Sequence, residues 1–75
     1  MDWILYGTLG CHLCEQAEQL LQQVQCARPV AWTVVDIADL PEAEQMALAR
    51  RIPVLQAGAQ QLGWPFGLPD LMRLP

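Results

Sequence analysis

The sequence predicts an α/β fold with element order βαβαββα, a four-stranded mixed sheet flanked by helices, and three observations carry that expectation. A strand-like run, Trp3-Ile4-Leu5-Tyr6, is followed by a long stretch of helical periodicity and then by a second strand-like run from Ala31 to Val35. A helical crossover joins parallel neighbours, so these two strands are expected to form a right-handed βαβ unit. Further on, two short runs around Ala57-Gly58 read as a hairpin, which adds antiparallel strands to the same sheet.

Each element has its own signal. Trp3 to Tyr6 ends at Gly7, and Gly7-Thr8-Leu9-Gly10 is a loop leading to Cys11. From Cys14 onward Ala17, Leu20, Leu21 and Val24 recur at helical spacing, with Glu and Gln filling the positions between, and Arg28-Pro29 closes the helix. Ala31-Trp32-Thr33-Val34-Val35 is rich in branched and aromatic residues, as strands are. Asp39 and Glu42 have the spacing of a capping box, Pro41 suits a first turn, and Ala43, Met46, Ala47 and Ala49 continue a helix ending near Arg50-Arg51.

Ile52-Pro53-Val54-Leu55-Gln56 is expected as the third strand, with proline at its first position, where the missing amide is tolerated. Gln60-Gln61-Leu62 follows the hairpin turn as the fourth. Gly63-Trp64-Pro65-Phe66-Gly67 is read as a packed bend, and Leu68 to Leu74 as one or two helical turns. Trp3, Trp32 and Trp64 are read as core or rim packing. No repeat or linker interrupts residues 1–75, so one domain is expected.

Composition narrows the function. A hydrophobic fraction of 53% and a charged fraction of 16% are those of a folding chain, and four Arg without Lys against eight acidic residues give a net charge of −4. Affinity for a phosphate backbone rests on clustered cations, so nucleic acid is not an expected partner. Met1-Asp2-Trp3 has neither the basic start nor the long apolar run of a secretory signal, and no later run reaches membrane-spanning length, so the cytoplasm is the expected location. In that reducing compartment a close cysteine pair is redox-active or metal-binding before it is structural.

The pair is Cys11-His12-Leu13-Cys14. Two thiols three residues apart at a helix start can close a disulfide with little backbone movement. The unpaired amides and positive dipole end of the helix favour a thiolate there, well below the ordinary thiol value of about 8.5. Cys11 is therefore expected to be the exposed nucleophile. Cys14 continues the apolar stripe through Ala17, Leu21 and Val24, so it is expected to point inward and act as the resolving thiol. His12 is a candidate catalytic residue, able to donate to the Cys11 sulfur or to stabilise it when protonated, while Glu15 and Glu18 pull the other way.

With these residues in place the chain resembles the glutaredoxin-like branch of the thioredoxin superfamily. The match rests on Leu5-Tyr6, Cys11-His12-Leu13-Cys14 opening a helix, Ile52-Pro53-Val54, Gly63 and Asp70-Leu71. More narrowly, Leu5-Tyr6-Gly7-Thr8, Gly10 to Glu15 and Trp64-Pro65-Phe66 are similar to a small bacterial glutaredoxin-like family. The resemblance implies a thioredoxin-like fold, thiol-disulfide exchange, a cis Ile52-Pro53 bond beside the cysteines, and substrate backbone held by Ile52. It implies no bound cofactor and no metal, with glutathione a candidate co-substrate.

The chain departs from glutaredoxins where they recognise glutathione: Thr8 stands in the place of a lysine, and His12-Leu13 replaces a proline-tyrosine pair. Arg50 and Arg51 are read as dipole partners at a helix end and Asp70 as a solvated helix-start residue. Cys26, more than three turns along the helix, is read as a small buried or semi-exposed hydrophobe.

Three functions are thus open: a monomeric thiol-disulfide oxidoreductase acting on protein or small disulfides with an unidentified reductant, a metal or iron-sulfur carrier using the same cysteines, and a redox-inert adaptor.

Overall fold

The computed structural model describes residues 2–74. Its strands are β1 (Asp2–Gly7), β2 (Ala31–Asp36), β3 (Val54–Ala57) and β4 (Gln60–Gly63), and its helices α1 (His12–Ala27), α2 (Glu42–Leu48) and α3 (Leu68–Met72). They form one four-stranded sheet of order β2-β1-β3-β4. β1 pairs parallel with β2 and antiparallel with β3, and β3 pairs antiparallel with β4, so the sheet is mixed as expected.

β1 is central and covered on both sides, which explains why its apolar residues run continuously instead of alternating with polar ones. Trp3 and Leu5 face a core built with Ala17, Leu21 and Val24 of α1 and Leu71 of α3. Tyr6 packs on the opposite face with Ile37, Leu48 and Val54. The register Leu5↔Leu55↔Leu62 carries the first face across the sheet, and Tyr6↔Val54 the second. Trp32 and Trp64 pack against the main core, and Phe66 is buried in it with its ring edge-on to Trp64 at 5.2 Å, so the bend after β4 is packed.

Local details differ from the sequence expectations around α2. Asp39 does not cap it: residues Ile37–Asp39 form a short 3-10 helix of their own, held by the Asp36 side chain, whose Oδ1 accepts from the Ala38 amide at 2.9 Å. The residue before α2 is Pro41, which makes no side-chain cap. Ala43, Met46, Ala47 and Ala49 are exposed, and Leu48 alone of α2 is buried. The physical reason is length: α2 has seven residues, enough for a single inward contact, and Leu48 fills the small cluster with Ile37 and Val54.

Arg28, the C-cap of α1, ties distant elements together. Its Nη1 donates to the carbonyls of Leu71, Met72 and Leu74 at 3.4, 3.3 and 2.8 Å, and its guanidinium lies 5.5 Å from the centre of the Trp3 ring. These carbonyls lie at and just past the C-terminal end of α3, where helix carbonyls run short of backbone donors, though that of Leu71 also accepts from the Leu74 amide. At the other end of α3, Asp70 Oδ2 accepts from the Gly67 amide at 2.9 Å, a capping role.

Candidate active site

Cys11 is the N-cap of α1, in extended backbone, and Cys14 sits one turn into the helix. The two are joined by a disulfide, with their Cα atoms 5.2 Å apart. The Cys11 sulfur accepts a hydrogen bond from the Cys14 backbone amide at 3.0 Å, so it occupies the position that a Ser or Asp oxygen takes in an ordinary cap. A sulfur held there is also the acceptor nearest the positive end of the dipole of a helix 16 residues long.

Two expectations need correction. Exposure does not separate the cysteines, since Cys11 and Cys14 are both half-buried. What distinguishes them is position, Cys11 at the cap and Cys14 against the end of β1, where its sulfur lies over Gly7. The hydrogen bond expected from His12 to the Cys11 sulfur is replaced by that of the Cys14 amide. His12 is 93% exposed and directs Nδ1 toward Glu15 Oε2 at 3.7 Å. At the first position of the helix its side chain stands in solvent beside Glu15.

The Ile52-Pro53 bond is cis, as is Trp64-Pro65, which no sequence signal pointed to. Pro53 is fully buried just before β3, and its carbonyl accepts from the Trp64 amide at 3.2 Å. Continuing the Tyr6↔Val54 register by one residue sets Pro53 beside Gly7, the residue on which Cys14 rests. The fold thus brings Pro53 to the neighbourhood of the pair. Ile52 is half-buried and packs instead with the Ile37, Leu48 and Val54 cluster.

A cavity of about 210 Å³ reaches the disulfide from the β2 side. Leu5 and Val34 give it apolar walls, and Glu15, Glu18 and Asp36 bring carboxylates to it. Ile52 and Pro53 do not line it. Of these residues the sequence signalled only Glu15 and Glu18, as charges near the cysteines; Asp36 reaches the cavity through the parallel register Gly7↔Asp36, which no local pattern reveals.

The residues singled out elsewhere fall outside the site. Cys26 is exposed rather than buried, its thiol turned to the Gln22 carbonyl at 3.6 Å, because it lies on the outer face of α1. Arg51 donates to Gln61 Oε1 at 3.3 Å.

Sheet order, crossover and the dithiol at the head of α1 together define a thioredoxin-like protein carrying a CxxC motif. Within that class, the model of the family described as Glutaredoxin-like domain (DUF836) matches residues 3–73, nearly the whole chain, and the chain belongs to that family. No curated protein and no solved structure matches it. No helix among the described residues is long and apolar enough to cross a membrane.

Proposed function

We propose that the chain is a thiol-disulfide oxidoreductase in which Cys11 attacks and Cys14 resolves. The observation that carries this reading is the Cys11 sulfur at the N-cap of α1, on the Cys14 amide and one bond from its partner thiol. In the reduced protein the same amide can stabilise a Cys11 thiolate. That thiolate attacks one sulfur of a substrate disulfide and expels the other as a thiolate, which takes up a proton. Cys14, losing its proton, then attacks Cys11 and releases the second substrate thiol. Two electrons pass from the dithiol to the substrate, and an external dithiol restores the pair.

Pro53 and Ile52 flank this centre in our reading as the edge against which substrate backbone lies, and His12 adjusts the charge around the pair without touching the sulfur. Glutathione is a weaker candidate co-substrate than a protein disulfide, because neither Thr8 nor His12-Leu13 offers it a dedicated contact. The protein works as a monomer in a reducing compartment. A metal or cluster held by Cys11 and Cys14 would need ligands from a second chain: among the described residues no three His, Cys, Asp or Glu side chains gather for one.

The test is a trapping experiment. In a Cys26→Ser background, which removes the exposed third thiol, reduced Cys14→Ser protein mixed with a peptide disulfide is expected to accumulate a mixed disulfide on Cys11, seen by mass spectrometry, while Cys11→Ser forms none. Equal trapping by the two variants overturns the division of roles. No reduction of any disulfide by the unmodified dithiol overturns the activity.

A further inference from the structure

The cavity on the β2 side of the disulfide is not used by the exchange chemistry described above. Its volume of about 210 Å³ is below the range of roughly 300–1,000 Å³ that holds a whole small ligand, so it suits one side chain of a larger substrate. Its walls combine apolar surface, from Leu5 and from Val34, which is 52% exposed, with the carboxylates of Glu15, Glu18 and Asp36. Glu15 Oε2 lies 3.7 Å from His12 Nδ1, and Asp36 commits one oxygen to the Ala38 amide, while its other oxygen and the Glu18 carboxylate have no hydrogen-bond partner among the described residues. None of the four arginines lines the cavity.

Apolar walls combined with carboxylates are complementary to the side chain of lysine or arginine, which buries its methylenes and keeps its charged tip among acceptors. The surface around the opening favours a polypeptide over a small disulfide. Leu9 in the preceding loop is 90% exposed and Leu13 in the motif is 44% exposed, so apolar surface lies on both sides of Cys11 for a chain to rest on.

We infer that this cavity is a specificity subsite for a cationic side chain adjacent to the reacting cysteine of a protein or peptide disulfide. The inference rests on the exchange reading and names its substrate class: disulfides flanked by basic residues. Attack, release and electron count are unchanged, with the substrate disulfide reduced to two thiols and Cys11-Cys14 oxidised.

The test uses three peptide disulfides identical except for lysine, alanine or glutamate next to the cysteine, mixed with protein reduced by dithiothreitol and then freed of it. Second-order rates at about 20 mM ionic strength are expected to favour the lysine peptide over the glutamate peptide at least tenfold, and the ratio should shrink in high salt as screening shortens. In Glu18→Gln/Asp36→Asn that ratio should fall below threefold. Glu42→Gln/Glu44→Gln, which removes the same charge from α2, should keep it. Equal rates for the lysine and glutamate peptides, or the same loss of preference in both double variants, overturn the subsite. No reduction of any of the three peptides overturns the exchange reading and the subsite with it.

Discussion

A Cβ atom placed on Gly7 would stand 2.8 Å from the Cys14 sulfur and 3.2 Å from the Cys14 Cβ. The last residue of β1 is therefore the bed on which the second cysteine of the pair lies, and its lack of a side chain lets α1 approach the strand. Glycine is required here by contact. The positive φ values belong to Gly10 and Gly58.

Gly7→Ala should destabilise the protein by about 1–3 kcal/mol, the usual cost of forcing an atom into a packed site. For a domain of this size each kcal/mol lowers Tm by roughly 4–8 °C. Thermal unfolding of the oxidised protein would measure it, with Gly63→Ala as the control, since an added Cβ there meets nothing within 4 Å. Equal effects of the two substitutions would refute the close approach.

Leu48 and Met46 should respond in opposite ways. Leu48 is 8% exposed and closes the small cluster beneath α2, whereas Met46 is 70% exposed. Leu48→Ala is expected to cost about 2 kcal/mol, the low end for a buried leucine because the cluster is small and shallow. Met46→Gln should stay within about 0.5 kcal/mol of the parent. Urea denaturation of both variants separates them.

His12→Ala should move the reduction potential of the Cys11-Cys14 pair by less than about 20 mV, because a side chain 93% exposed that makes no hydrogen bond to the sulfur acts on it only through water. Equilibration against glutathione buffers gives the value. A displacement several times larger would place His12 in direct contact with the sulfur in the reduced protein.

How far the sequence anticipates this molecule depends on the range of the interaction concerned. β1, β2, β4, the crossover helix and the cysteine pair at its start follow from local periodicity and from residue types at a helix start, and the structure has them within a residue or so of where the pattern puts them. β3 instead begins at Val54, which leaves Ile52 and Pro53 ahead of the strand rather than inside it. The Asp39 cap failed because Asp36, three residues earlier, starts a competing 3-10 turn. Gly7 was visible as a strand end; counted in alternation after Trp3 and Leu5, it is also the third inward position, and a glycine there signals close approach. Asp36 at the cavity and Arg28 beneath α3 depend on register and on contacts across the chain, which no window of neighbouring residues contains.

Arg28→Ala should cost about 1–3 kcal/mol, since it removes charge-assisted hydrogen bonds to three carbonyls and the contact with Trp3. Arg28→Lys should recover only part of it, because a single ammonium group replaces a planar fork. Chemical denaturation would rank the three proteins, and an unaltered midpoint for Arg28→Ala would show that the bonds contribute nothing net.

The Arg28 contacts join residues 43, 44 and 46 positions apart, and α3 on its own has five residues, too few to persist without support. Order in α3 is therefore borrowed from the far end of the helix that opens with Cys11. Amide hydrogen exchange in Leu71 and Met72 becomes a remote gauge of that helix: any event that frays its last turn is registered first as faster exchange in a segment that holds neither cysteine.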